Sequence, residues 1–374
     1  MTALAQAHDA VNLGQGFPDE DGPAAVLEAA RAAVAAGHNQ YAPGPGIPAL
    51  REAVAAHGAR FHGLTHDPDT EVSVTFGATE ALSATLLALV DPGDEVVVVE
   101  PSYDAYDAAI ALAGGRRVPV PLTPPAPGSG GGATLDLDRL AAAVTDRTRV
   151  LVLNSPHNPT GSALGDEELA GIARLLDDHP RVVVVSDEVY EHLVFDGPHR
   201  SIAQQPGMRE RTVRVSSAAK TFSVTGWKVG WACAPADLTA GIRLVKSYTT
   251  FSGATPFQHA VALALGLDDT VFEAFRADFA ARRDHLVAGL RAAGLDVAPP
   301  AGTYFVAADA APLGVTDGVA FCRELPARAG VAAIPVGVFC EEPGPWASWV
   351  RFATCKRREV LDEGVARLAA LADA

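Results

Sequence analysis

Basic residues are scarce in this chain. Its 29 lysines and arginines face 45 acids, for a net charge of −16, so no basic face is available to attract phosphodiester backbones or anionic lipid, and nucleic acid and membrane are poor partners. Cysteine is scarce too: Cys233, Cys322, Cys340 and Cys355 form no CxxC pair, which argues against a zinc ribbon or a disulfide scaffold and for reduced, mostly buried thiols. Long apolar runs are missing, since stretches such as Val96 to Val99 are far too short to span a bilayer. The start, MTALAQAHDAVNLGQG, has no charged region followed by an apolar core, and a cytoplasmic location is the expectation. What is present is 374 residues, 48% of them hydrophobic, enough for one large domain and a smaller one, with a small molecule as the expected ligand.

Runs of period two alternate with stretches of period near 3.6. EVSVTF (71–76), EVVVVE (95–100), RTRVLVLN (147–154), RVVVVSD (181–187) and RTVRVSS (211–217) read as strands, with helices over 78–90 and 166–178. Residues 235–293 read as almost wholly helical. The remainder, with strands near 303–308, 331–335 and 348–352 and helices near 316–329 and 357–372, reads as α+β. This predicts an α/β protein: a large domain with a mostly parallel sheet covered by helices, plus a smaller α+β domain. TPPAPGSGGG (123–132) suits an exposed loop. GPGIPA (44–49) matches a dinucleotide pattern, but no strand precedes it and prolines interrupt it. His62 and His66 share i,i+4 spacing, yet Gly63 and the following DPD disfavour a helix there and no third ligand is apparent, so they read as surface histidines and no metal is expected.

Ligands of a parallel sheet bind beyond the C-terminal strand ends. There the sequence places Gly77-Ala78-Thr79, Tyr103, Asn154 to Gly161, Asp187 to Tyr190, and Lys220. Small residues opening a helix suit an anion such as phosphate, or form an ordinary cap. Asp187 after VVVVS needs a partner: a cationic ring nitrogen, an ion pair or a helix cap. The amides of NSPHNPTG (154–161) serve a ligand oxygen or the turn alone. Tyr103 and Tyr190 suit a planar ring or simple packing. Lys220 is one of four lysines and sits among small residues in SSAAKTFSVTGWKVGW (216–231). With few routes to water its pKa should fall, making the amine a nucleophile toward an aldehyde. Aldehyde, phosphate and pyridine nitrogen together describe pyridoxal 5′-phosphate, with Lys220 as Schiff base and Asp187 as the ring-nitrogen partner.

GATEAL, EPSYDAY, NSPHNPTG, SDEVYEHLVF, SSAAKTFSVTGWKVGW and VRFATCK resemble, in that order, the motifs of class I/II pyridoxal-phosphate aminotransferases of fold type I. The likeness runs from NLGQGFPDEDGP at residue 12 to the C-terminal helix. It is nearest to kynurenine, glutamine and methionine aminotransferases and to actinobacterial succinyldiaminopimelate aminotransferases. The resemblance implies phosphate on the amides of Ala78 and Thr79 with Ser217, Lys228 and a neighbouring subunit's copy of Tyr41. It implies Tyr190 and Asn158 on the ring oxygen, Tyr103 on the ring face, and Lys220 as the base that moves the substrate proton. Arg351 would clamp the α-carboxylate, helped by Asn154 and the backbone at Gly16, with Phe17 and Phe251 as pocket walls, Phe251 reaching across a homodimer. The expected division is an arm and part of the small domain (1–37), a large cofactor domain (38–265) and a C-terminal small domain (266–374). The substrate expectation is N-succinyl-LL-diaminopimelate or glutamate with 2-oxoglutarate; methionine, glutamine or aromatic donors and cysteine S-conjugate β-elimination stand as alternatives.

Overall fold

A computed structural model describes residues 1–371. Twelve strands occur among them. Val11–Asn12 (β1) lies in the N-terminal arm. Val72–Phe76 (β2), Glu95–Glu100 (β3), Arg116–Pro121 (β4), Thr148–Asn154 (β5), Val183–Asp187 (β6), Thr212–Ser217 (β7) and Val229–Cys233 (β8) form one sheet in the order β2-β8-β7-β6-β5-β3-β4. Phe305–Asp309 (β9), Val331–Ala332 (β10), Ile334–Pro335 (β11) and Trp349–Ala353 (β12) follow.

The valine-rich strands are buried on both faces, which is why they read as continuous apolar runs. Val97, Val99, Leu151 and Val184 face a layer built on Leu140, Leu169 and Ile172. Their neighbours Val96, Val98, Val150 and Val185 face another, built on Leu82, Leu86, Ile110 and Ile242. Alternate residues of a strand point to opposite faces, so one run supplies both cores.

Strands β3 to β7 pair in parallel, and β8 runs antiparallel between β7 and β2. Neither β8 nor β4 was expected from the sequence. The reversal of β8 matters because its start, not its end, lies at the edge where the parallel strands finish. Gly230 is the register partner of both Thr75 and Ser217, and Asp187 is that of Asn154. Lys228, just before β8, is therefore carried to the same edge as Asp187 and Ser217.

The stretch 235–293 is three helices, Ala236–Thr249, Thr255–Leu265 and Asp269–Ala292, broken near Gly253 and Gly266. Beyond it, β9, β11 and β12 form an antiparallel sheet packed through Val306, Val350 and Phe352 on Leu286, Phe321 and Leu361. The arm joins this unit: β1 pairs with β10, and Leu13 is buried in the same core. The C-terminal helix runs Arg358–Leu368 with a short 3-10 turn to Leu371; the last residue of the expected span, 372, lies outside the described residues. The Gly-rich loop is exposed and closed by a Thr123–Thr134 bridge. Among the described residues no helix is long and apolar enough to cross a membrane.

One expectation is overturned. His62 and His66 are buried, at 6% and 5% exposure, not on the surface. The helix Pro48–His62 does continue to His62, because Gly63 takes the left-handed conformation (φ +64°) that ends it. His62 then bonds Glu191 Oε2 at 2.5 Å, a partner 129 residues away that its own neighbourhood could not announce.

Candidate active site

A cavity of about 530 Å³ opens at the C-terminal edge of the large sheet, against the arm and the small domain. Ala78, Thr79, Tyr103, Asn154, Asn158, Asp187, Tyr190, Ser217, Lys220, Lys228, Arg351, Gly16 and Phe17 all line it.

One wall is the start of the helix Gly77–Leu89. Gly77 sits at φ +75°, which frees the chain to turn directly from β2 into the helix, and a Cβ there would lie 3.0 Å from Lys228 Nζ. Gly230 lets β8 press on the same turn, where a Cβ would stand 2.6 Å from the Ala78 nitrogen. The helix N-terminus carries no side-chain cap, so its first amides point free toward the cavity beside an ammonium and the buried Ser217. This is a cradle for a phosphate group.

The floor is Asp187. Tyr106 Oη–H donates to Asp187 Oδ2 at 2.7 Å, and the Val189 amide donates to Oδ1 at 3.3 Å. Burial pushes the carboxyl up to about 6, and these two donors with the nearby Lys220 cation only partly oppose it. A cationic ring nitrogen would supply the missing positive charge. Burial likewise lowers the Lys220 ammonium, reinforced by Lys228 and Arg351 and opposed by Cys355 and Asp187. Its Nζ stands 5.9 Å from the Tyr190 ring centre and 5.5 Å from that of Tyr304. Burial raises the Tyr190 phenol, so it remains protonated and a donor. Tyr103 meets Tyr106 edge-on at 5.7 Å.

The roof is Arg351. It is 8% exposed; Nη1–H donates to Asn158 Oδ1 at 2.8 Å and Nη2–H to the Gly14 carbonyl at 3.2 Å, while Nε has no partner. Its guanidinium lies 4.0 Å from the Phe305 ring centre and 5.1 Å from that of Phe339. Among the described residues no carboxylate pairs with it, so it is a buried cation aimed into a cavity and able to take an anion by its fork. Gly16 closes this side: its carbonyl accepts from Tyr304 Oη–H at 2.6 Å, and a Cβ would collide with the Phe305 ring at 2.4 Å.

Three of the expected site residues, Asn154, Tyr41 and Phe251, make their contacts apart from the groups above. Asn154 lines the cavity, but its amide group donates to the Asp187 carbonyl at 2.9 Å and accepts from the Asn158 amide at 2.8 Å, so it holds the turn together. Tyr41 and Phe251 lie outside the cavity of their own chain. They meet edge-to-face at 5.6 Å on the surface, 82% and 48% exposed. Tyr106, Thr225, Tyr304, Phe305, Ile334 and Phe339 belong to the site's surroundings without having been singled out. Tyr106 had a signal, standing three residues after Tyr103 on one helix face; the others are brought in by the small domain or by loops.

A lysine with a depressed pKa, a carboxylate awaiting a cation, a phosphate cradle and a carboxylate-binding arginine fit pyridoxal 5′-phosphate and an amino acid. The model of the family "Aminotransferase class I and II" matches residues 8–368, and the chain belongs to that family: it is a pyridoxal-phosphate-dependent aminotransferase of fold type I. It is 52% identical over 382 residues, covering 100% of this chain and 95% of the relative, to a probable N-succinyldiaminopimelate aminotransferase DapC of Mycobacterium tuberculosis. It is 43% identical over 369 residues, 98% and 94% of the two chains, to the methionine aminotransferase of Escherichia coli K12. The solved structure of N-succinyldiaminopimelate aminotransferase from Mycobacterium tuberculosis superposes with a TM-score of 0.96 at 53% identity, covering 99% of this chain and 96% of that one.

Proposed function

We propose that this aminotransferase moves an amino group between N-succinyl-LL-diaminopimelate or glutamate and a 2-oxo acid, with 2-oxoglutarate as acceptor. The observation that carries amino-acid binding is Arg351, buried, unpaired with any described carboxylate, and sharing one cavity with Lys220 and Asp187. The choice of donor rests on the 52% identity to the probable DapC. One observation favours a second donor class: Phe17, Ile334, Phe339 and Phe305 give the substrate side an apolar wall suited to a methionine-like side chain.

When bound, pyridoxal phosphate supplies an electron sink for the charge that develops at the substrate Cα. The Ala78 and Thr79 amides, Ser217 and Lys228 would hold its phosphate, Asp187 would keep its ring nitrogen protonated, Tyr190 and Asn158 would donate to its ring oxygen, and Tyr103 would cover its face. Arg351 fixes the α-carboxylate, with Asn158 orienting the guanidinium and Asn154 holding the turn. Lys220 would hold the cofactor covalently, and its amine, kept toward the neutral form by burial, would serve as the base for the Cα proton. Gly16 and Phe17 close the site against water. The proposal includes a cytoplasmic homodimer, with Tyr41 and Phe251 of each chain completing the other's site, and the 1–37, 38–265 and 266–374 division.

Borohydride reduction of the holoenzyme followed by peptide mapping tests the site. We expect label on Lys220, and turnover lowered roughly 10⁴-fold in Lys220→Ala; label on Lys228 or Lys246 would refute the assignment. Pyruvate and ammonia released without an acceptor would identify a β-lyase instead.

A further inference from the structure

The turn after β6 carries two pairs of acidic or phenolic side chains that alternate. Asp187 and Tyr190 enter the cavity, whereas Glu188 and Glu191 are turned away into a buried polar layer. Glu188 accepts from Ser186 Oγ (2.8 Å), Ser201 Oγ (2.6 Å), His199 Nε2 (3.0 Å) and Arg214 Nε (2.9 Å), and pairs with Arg214 Nη2 at 2.8 Å. Glu191 accepts from His62 Nε2 and Ser216 Oγ, both at 2.5 Å, and lies 3.5 Å from Arg214 Nη2. Arg214 is thus the one guanidinium shared by both carboxylates. It stands on β7, three residues before Ser217 and six before Lys220, so it ties the turn holding Asp187 and Tyr190 to the strand delivering the lysine.

Burial opposes every charge here, and the pairing outweighs it. Arg214 and His199 hold Glu188 below the usual carboxylate range, and Glu188 and Glu191 hold Arg214 above its ordinary value. The groups facing this network are His57, His62 and His66 from one side, His192 and His199 from the turn and the loop after it, and Cys233 from β8. Burial favours neutral forms of His57, His62, His66 and His192. Two carboxylates thus share one guanidinium, with the His199 ring as a further donor to Glu188. Glu188 is adjacent in sequence to Asp187, and its negative charge adds to the burial that raises the Asp187 carboxyl. His57, His62 and Glu191 also bring potential ligand atoms within 4.8 Å of one another, but Glu191 is already bonded to His62 and Ser216 with Arg214 beside it, the arrangement of a closed ion-pair network.

We propose that Arg214, by bridging Glu188 and Glu191, is a positioning residue that sets the geometry and charge of the Asp187–Tyr190 turn against the bound cofactor. The inference rests on the assignment of Asp187 and Lys220 to that cofactor. A bridging cation and a bridging anion must act with opposite sign, which a merely stabilising role does not require.

The test uses holoenzymes of Arg214→Met, Arg214→Lys and Glu191→Gln, each first shown by borohydride mapping to carry its cofactor on Lys220. That step separates failure of the site assignment from failure of this proposal. The readout is the pH midpoint of the cofactor's visible band. Removing the guanidinium should raise it by about one unit, removing the Glu191 charge should lower it, and Arg214→Lys should restore most of the wild-type value. In Arg214→Met kcat should fall about tenfold with KM for the amino donor changed less than about threefold. An unchanged midpoint, or shifts of the same sign in Arg214→Met and Glu191→Gln, overturns the proposal even if thermal stability falls. If Arg214→Met does not fold, Glu191→Gln decides alone: a lowered midpoint supports it and an unchanged one overturns it.

Discussion

At the scale of single residues, Asp187 shows how burial and hydrogen bonding divide the work. Burial pushes its carboxyl up to about 6, and the Tyr106 hydroxyl is the first of the groups that oppose this. The ionised form is the one that pairs with a cationic ring nitrogen, so cofactor affinity of the apoenzyme should weaken as pH falls through about 6. Tyr106→Phe removes a charge-assisted hydrogen bond worth about 1.5–3 kcal/mol, which raises the carboxyl further and moves that weakening to higher pH by roughly one unit. Titrations of apoenzyme with pyridoxal phosphate between about pH 5 and 8 check the sign; an unmoved or lowered midpoint would show that Tyr106 does not tune Asp187. In Asp187→Asn the pH dependence in this window should vanish along with most of the affinity.

At the scale of elements, Lys228 sets local strain against function. Its φ of +54° is a conformation that costs a non-glycine residue about 1–2 kcal/mol, yet it brings the ammonium over the helix that starts at Gly77. Lys228→Gly should leave thermal stability equal or slightly higher while weakening cofactor binding by roughly tenfold or more; calorimetry and cofactor titration on one preparation separate the two effects. The same region marks the limit of what the sequence discloses. The strand Glu95–Glu100 was legible because four consecutive valines have no other use, Asp187 because it follows such a run, and Lys220 because it stands just beyond the strand read over 211–217, whereas Ser217 came only from the family resemblance. Strand β8 was not legible, since it follows directly on a strained lysine, is only Val229–Cys233, and pairs antiparallel with strands from distant parts of the chain. Nothing in the sequence singled out Glu191 or Arg214, and His62 is bonded to a partner 129 residues away. Motifs announce the groups that touch a ligand; groups that hold those in place are selected by contacts the chain makes only after it folds.

At the scale of the whole molecule, the proposed homodimer can be tested at an exposed aromatic patch. Tyr41 and Phe251 pack on each other but stand outside their own cavity, and Tyr248 nearby in sequence is also exposed. If each site borrows Tyr41 from its neighbour, mixing Lys220→Ala with Tyr41→Ala chains should restore activity in hybrid dimers, because one of the two sites then carries neither lesion. Sites complete within one chain would give no such complementation. The substrate expectation belongs to this scale too, because the cavity is walled by both domains and the arm, and its 530 Å³ is set by how they meet. The most direct measurement is a single half-reaction: holoenzyme given N-succinyl-LL-diaminopimelate or glutamate alone, with the visible cofactor band followed in time. The band should bleach once, stoichiometrically, as the donor leaves as its 2-oxo acid, and return when 2-oxoglutarate is added. A band that persists with both donors would contradict the proposed substrate, and continuous turnover to pyruvate and ammonia with no acceptor present would contradict amino transfer as the chain's chemistry.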